Sequence, residues 1–388
     1  MKFDNQLRHA IRIIETYGGE IPLAVWLKEF FRANRQMGSR DRKQLSTLVY
    51  SFYRLGHSLR QLPVADRLLA GIFICLDRSN EMLDYFHPRW NERIGVPLTE
   101  KIAFFQTQSE GAGFSPADIF PWKSELSPEI DYEAFCLSFL RQPDLFLRIR
   151  PGCRESVTQS LATVGVPHEF LAPAAIRLPN SYAIETLFTP DREVVIQDYS
   201  SQQLAEFLTL PEPPEFFWDT CAASGGKSIL IHDLYPQLHI TASDIRDSIL
   251  RNLRTRFAAA GIKRYSTFHA DLACQAPPAS AANADLILAD LPCTGSGTWS
   301  RTPEALYFFD PAAILKYADR QRSILRHIAA HLAPDASLVY CTCSVFRREN
   351  EEITEWVETK FKLATRMRKT LIGYPRHADT LFAARFLR

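Results

Sequence analysis

From Phe216 onward, short apolar runs that end in an aspartate or a cysteine alternate with amphipathic stretches of helical period. That alternation restricts the C-terminal half to a parallel sheet with helices on its faces. Strands are predicted at Phe216–Asp219, 239–242, 266–269, 286–289 and 337–340, and helices over 227–234, 249–260 and 312–332. An open α/β sheet of this kind, Rossmann-like and parallel-rich, binds its ligand beyond the carboxyl ends of the strands. The residues that close the runs are therefore the first candidates for function.

The 388 residues exceed what one core usually serves, so more than one domain is expected. Apolar residues recur at helical spacing over 5–75, for instance Ile11, Ile14, Leu23, Trp26, Leu27 and Phe30, then Leu45, Leu48, Val49, Phe52 and Leu55. The pattern weakens between Gln106 and Pro128. From Leu145 to Gln197 the runs are short and strand-like, with one helical stretch at 156–164. The expected organisation is an all-helical domain over 1–125, a small α/β insert over 126–196 and the parallel-sheet domain over 197–388. With 46% hydrophobic and 23% charged residues, the composition is that of an ordinary globular protein. No apolar run approaches the roughly 18 residues of a membrane span, and the polar start lacks a signal-peptide core, so a cytoplasmic protein, monomeric and without membrane association, is expected.

Net charge is +1, but it is unevenly spread: residues 1–60 carry eleven Lys/Arg against five Asp/Glu, and residues 61–135 carry six against twelve. A second basic tract holds Lys360, Lys362, Arg366, Arg368, Lys369 and Arg376 with no acid between them. Such tracts suit a phosphate backbone, and RNA is the expected partner.

The turn Asp219-Thr220-Cys221-Ala222-Ala223-Ser224-Gly225-Gly226-Lys227 follows the first strand of the sheet and opens a helix. Its small residues and paired glycines let the backbone approach a nucleoside, although it is neither Gly-x-Gly-x-x-Gly nor a P-loop. Asp244 and Asp271 close the next two strands and Asp290 the fourth. Carboxylates at successive strand ends suit a ligand with a cation, an amine and a ribose, and S-adenosyl-L-methionine has all three. Candidate donor-binding residues are thus Cys221, Ala222, Ala223, Ser224, Gly225, Gly226, Lys227, Asp244, Asp271 and Asp290.

Two strand ends carry thiols, in Asp290-Leu291-Pro292-Cys293 and in Cys341-Thr342-Cys343-Ser344. The spacing does not suit a zinc site, and no metal is expected. Cys75, Cys136, Cys153 and Cys274 read as small buried hydrophobes, and all eight cysteines as reduced. A thiol beside a methyl donor suits an acceptor carbon that is inert until attacked, such as C5 of cytosine, activated by thiolate addition at C6. Asp290 is placed to assist protonation at the ring nitrogen, and Lys227 to raise the thiolate fraction.

At these residues the chain resembles the Nol/Nop/Sun family of RNA 5-methylcytosine methyltransferases. The likeness rests on Gln197-Asp198-Tyr199-Ser200-Ser201-Gln202, on Cys221 through Lys227, on Asp290-Leu291-Pro292-Cys293, and on Thr342-Cys343-Ser344 followed by Glu349-Asn350-Glu351. It implies a class I methyltransferase fold with Cys343 as nucleophile and Cys293 assisting release. Asp244, Asp271 and residues 221–227 would then hold the donor, and Asp290 would contact the base. Ser224 and Ser228 stand where the family usually has proline and threonine, and Thr380 where it has glycine. The segment Met37-Gly38-Ser39-Arg40-Asp41-Arg42-Lys43 through Leu55 resembles the NusB-like domain of bacterial members that act on 16S ribosomal RNA, and the insert would correspond to the family's RNA-recognition-like subdomain. Three rival readings remain: a transfer RNA substrate, a DNA enzyme with Cys293 as nucleophile, and a non-catalytic RNA-binding protein on a methyltransferase fold.

Overall fold

The computed structural model describes residues 2–180, 182–278, 281, 284–329 and 331–388. The chain divides into two compact units, one of 1–124, 131–142 and 299–310, the other of 125–130, 143–298 and 311–388. Among the described residues no helix is long and apolar enough to cross a membrane.

The first unit is helical. Helices Ser39–Arg54 and Val64–Cys75 form its centre, and they approach closely at Gly71, where a Cβ would lie 2.6 Å from the Ser51 carbonyl oxygen. Leu48, Val49, Phe52, Leu68, Leu69, Ile72 and Phe73 fill the core. The helix Glu81–Phe86 starts at Asn80, whose side chain accepts from the amides of Met82 and Leu83. Not all the N-terminal positive charge faces solvent. Arg54 is buried and donates to the carbonyls of Phe139, Arg141 and Ser300 at 3.0, 2.8 and 3.0 Å, tying three chain segments of the unit together. Arg40 and Lys43 are exposed, and Arg40 pairs with Glu81.

The second unit contains two sheets. β1 (Leu145–Ile149), β2 (Glu169–Ala172), β3 (Ala175–Leu178) and β4 (Val194–Ile196) form an antiparallel sheet in the order β2-β3-β1-β4. Its core of Leu147, Ile149, Ile176 and Val194 includes Val157 and Leu161 of helix Arg154–Val164. The larger sheet comprises β5 (Phe216–Asp219), β6 (His239–Asp244), β7 (Tyr265–His269), β8 (Ala284–Asp290), β9 (Leu332–Thr342), β10 (Ala364–Leu371) and β11 (Leu381–Leu387), ordered β10-β11-β9-β8-β5-β6-β7. β5 to β9 run parallel, and β11 inserts antiparallel beside β9. Consecutive residues of each central strand enter opposite cores: Leu286 and Leu288 pack on one face, Ile287 and Ala289 on the other. Burial on both faces explains why these strands read as continuous apolar runs.

The structure adds an element that the sequence analysis did not assign and corrects one expectation. The basic tract 360–376 contains an edge strand, β10, with Arg366, Arg368 and Lys369 exposed. Charge on an edge strand discourages further strand pairing, which masked its β character. Of the four cysteines read as buried hydrophobes, only Cys136 is fully so; Cys75 and Cys153 are half-buried and Cys274 is exposed.

Replacing Arg54 with Met is expected to lower unfolding stability by on the order of 3 kcal/mol or more, because three carbonyls lose their donor. Urea denaturation of the full chain measures this.

Candidate active site

The parallel register brings the carboxyl ends of β5, β6, β7, β8 and β9 to one edge: Asp219 pairs with Ala242 and Leu288, and Asp290 with Cys341. At this edge a cleft of about 560 Å³ is lined by Cys221, Ala223, Asp244, Asp271, Asp290, Cys293 and Cys343, together with Ile245, Leu272 and other residues. Seven sequence candidates thus meet in one place. Ala222, Ser224, Gly225, Gly226 and Lys227 do not line it; the first four build the turn behind it, and Lys227 reaches Asp290.

That turn is tightly specified. Ala223 has φ 45° and Gly225 φ 83°, both in the left-handed region. A Cβ on Gly225 would also lie 2.8 Å from the Phe257 ring, so glycine is needed for space as well as for dihedral angle. The Ala222 amide donates to the Ser243 carbonyl at 2.8 Å and the Ala223 amide to Asp244 Oδ2 at 3.1 Å, which locks the turn to the end of β6. At the family's proline position, Ser224 gains another restraint: Arg256 Nη1 donates to its carbonyl at 3.0 Å and its hydroxyl at 2.9 Å. Arg256 is itself held by Asp191. Ser228 keeps the hydroxyl of the family threonine and donates it to Asp219 Oδ2 at 2.6 Å. Thr380 stands against the other loop: its amide donates to the Gly297 carbonyl at 3.0 Å.

Asp219 differs from its three companions. It is buried and absent from the cleft lining, and its Oδ1 has no partner among the described residues. Burial pushes its carboxyl up to about 7, outweighing the hydrogen bond from Ser228. The sequence could not separate it from Asp244, Asp271 and Asp290, since all four close apolar runs.

At the other end of the cleft, Cys293 Sγ and Cys343 Sγ lie 3.3 Å apart, and both are free thiols. The two sulfurs of the Cys-x-Cys run share a face of the sheet but differ in depth: Cys341 lies within β9 in the core, where burial pushes its thiol well up, and Cys343, just past the end of the strand, reaches the cleft. Hydrogen bonding to Cys343, followed by burial, holds the Cys293 thiol well above its ordinary value. Lys227 Nζ donates to Asp290 Oδ2 at 2.6 Å. Burial opposes the charge on Lys227, but the Asp290 carboxylate and the neighbouring cysteines outweigh it and hold the ammonium charged. Gly297 closes the Cys293 loop by donating to the Cys343 carbonyl at 2.8 Å; a Cβ there would lie 1.9 Å from the Thr380 oxygen.

Sequence reasoning missed the polar residues behind the thiols. Gln321 is fully buried between Ala318 and Leu325 on the apolar stripe of helix Ala312–Ala329, and a lone amide in such a stripe was the available signal. Among the described residues, no group of three or more His, Cys, Asp or Glu could hold a metal ion.

The strand order, the doubly covered parallel sheet and the cleft at its carboxyl edge define a Rossmann-like α/β domain of the fold found in class I methyltransferases. One solved structure, that of PH0851, superposes over 98% of this chain and 97% of its own with a TM-score of 0.68 at 19% identity, which is a likeness of fold. Residues 206–384 match the family described as 16S rRNA methyltransferase RsmB/F. A probable ribosomal RNA small subunit methyltransferase B from Synechocystis is 32% identical over 244 residues, 60% of this chain and 54% of that protein, so the match spans about half its length. Ribosomal RNA small subunit methyltransferase B from Xanthomonas campestris is 27% identical over 86% of this chain and 74% of its own.

The raised carboxyl of Asp219 makes a pH prediction. Its folded-state value lies above the unfolded one, so its contribution to stability is complete below about pH 4 and is lost as pH rises through about 7. Asp219→Asn should therefore flatten the fall in unfolding free energy between pH 4 and 7, by on the order of 4 kcal/mol at most. Parallel urea-midpoint curves for the two proteins would show that Asp219 titrates normally.

Proposed function

We propose that the protein transfers a methyl group from S-adenosyl-L-methionine to C5 of a cytosine in RNA, with 16S ribosomal RNA as the substrate. The observation that carries this reading is the pair of free thiols 3.3 Å apart in the cleft that Asp244, Asp271 and Asp290 also line. The donor set fits the cofactor: strand-end carboxylates suit ribose hydroxyls and a cationic centre, Ile245 and Leu272 offer apolar walls, and the turn at Ala223 and Gly225 leaves backbone open to close approach. When bound, S-adenosyl-L-methionine supplies an electrophilic methyl group.

The chain's own residues do the rest. The Cys343 thiolate adds to C6 of the ring, and the displaced electron pair makes C5 nucleophilic. Asp290, hydrogen-bonded to the Lys227 ammonium, holds the proton at the ring nitrogen that offsets the developing charge. After methylation a water molecule takes the C5 proton, the electron pair of the C5–H bond restores the C5–C6 double bond, and Cys343 departs as thiolate with Cys293 assisting. The helical unit is read as a NusB-like RNA-binding domain and the β1–β4 region as an RNA-recognition-like subdomain, together directing a cytoplasmic, monomeric enzyme to RNA rather than DNA. The target cytosine must leave any stack to reach the thiol.

Cys293→Ala should accumulate a covalent protein–RNA adduct, resistant to denaturant on a gel, and Cys343→Ala should form none. The reverse pattern would assign the nucleophile to Cys293 and favour the DNA-enzyme arrangement. Absence of label in RNA after incubation of the parent protein with tritiated donor would reject the activity itself. For substrate affinity, Arg40→Glu with Lys43→Glu should weaken RNA binding and make the slope of log K against log salt shallower by about one to two; an unchanged slope would remove this face from the RNA contact.

A further inference from the structure

Glu349 lies in the turn after β9 with its side chain buried. Its carboxylate receives four hydrogen bonds. Oε1 accepts from the Thr294 amide at 2.9 Å and from Gln321 Nε2 at 3.1 Å, and Oε2 accepts from the Thr294 and Ser344 hydroxyls at 2.6 Å each. Thr294 directly follows Cys293, and Ser344 directly follows Cys343. Gln321 Nε2 also donates to the carbonyl of Pro292, at 3.1 Å, so the Cys293 turn is held on both sides of its sulfur. Tyr340, on the strand that leads into Cys343, directs its one hydroxyl proton to the Glu349 carbonyl at 2.5 Å, with Gln321 Oε1 3.1 Å from the same oxygen. One buried side chain thus spans two turns about fifty residues apart in sequence. These four donors are uncharged; burial raises the Glu349 carboxyl above its ordinary value, and the hydrogen bonds from Ser344, Thr294 and Gln321 oppose that rise.

We propose that Glu349 is a positioning residue for the cysteine pair: it joins the two thiol-bearing turns and fixes the separation and orientation of Cys293 and Cys343. The inference rests on the two-cysteine reading given above and assigns the device that makes that reading geometrically possible. Each sulfur sits at the tip of a turn, where ordinary loop freedom would let the pair drift apart by an ångström or more. A misplacement of that size at the reacting sulfur is enough to lower a rate about 10²-fold. The charge has a second effect. A buried anion beside Cys293 favours its thiol form, and Glu349 is among the groups that hold that thiol above its ordinary value, after the Cys343 hydrogen bond, burial and the Cys343 charge. Cys293 thereby keeps a proton while Cys343 serves as nucleophile.

The test uses the full-length protein with two independent readouts. The first is steady-state methylation of RNA. Glu349→Ala should lower kcat about 10²-fold while KM for the donor stays within about twofold, and Glu349→Gln, which keeps the size and half of the acceptors, should recover about a tenth of parental kcat. The second needs no methylation. Phenylarsine oxide condenses with two adjacent thiols, forming two As–S bonds and releasing water. The parent should capture one equivalent through Cys293 and Cys343, Glu349→Gln should capture it more slowly, and Glu349→Ala should lose most of the capture.

Should Glu349→Ala fail to fold, Thr294→Val and Ser344→Ala remove one donor from each turn and leave the carboxylate in place. If Glu349 bridges the turns, each should reduce kcat, and the double variant should lose far less than the product of the two single effects. Unchanged kcat and arsenical capture in folded Glu349→Ala, or fully multiplicative effects in the donor variants, would overturn the proposal. A parent protein that captures the arsenical but methylates no RNA would leave the clamp standing and reject the assigned activity.

Discussion

The pairing of β8 with β9 is the constraint on which the site depends. In that parallel register Asp290 stands opposite Cys341, so the turns that leave the two strands start side by side and their sulfurs meet two or three residues later. Parallel strands must be joined by crossovers, and here residues 291–331 form one, returning the chain through helix Ala312–Ala329 before β9 begins. The helix that makes the crossover also delivers Gln321 to the back of the thiol site. Fold and site are therefore built by one piece of chain.

Around that pairing, electrostatics differ at the two ends of the cysteine pair. Lys227 and Asp290 form a close ion pair within the electrostatic reach of Cys341 and Cys343, and Glu349 adds negative potential at Cys293. Two chemically identical thiols 3.3 Å apart would otherwise compete for one proton. A neutral ion pair near Cys343 and the Glu349 carboxyl near Cys293 give the two sulfurs different surroundings, in line with the different roles proposed for them. Burying so many polar groups is tolerable because they satisfy one another; Thr342, Ser344, Asn350 and Ser127 continue the network beyond Glu349.

The parallel sheet was legible because its strands are buried on both faces and its functional residues sit where apolar runs stop. The cysteine pair was legible for the same reason, whereas Cys341 and Cys343 share a strand face and differ only in that Cys343 lies past the strand's end. What was not legible depends on side-chain direction or on distant partners. Asp219 looks like the other strand-end aspartates, yet turns into the protein to meet Ser228. Arg54 sits in a basic stretch suited to RNA, but its guanidinium is used by three backbone carbonyls. β10 was hidden by charges that belong on a sheet edge. Glu349 lay within a motif already noted, but nothing local in the sequence links it to Thr294.

The bond proposed between the sulfur of Cys343 and a pyrimidine ring can be trapped directly. Parent protein incubated with donor and RNA containing 5-fluorocytosine, in which fluorine replaces the departing proton, should be trapped as a stable adduct. Tandem mass spectrometry of its tryptic digest locates the nucleotide. Attachment is expected at Cys343 in the peptide spanning 327–347; attachment at Cys293, which falls in a different peptide, would contradict the proposed nucleophile.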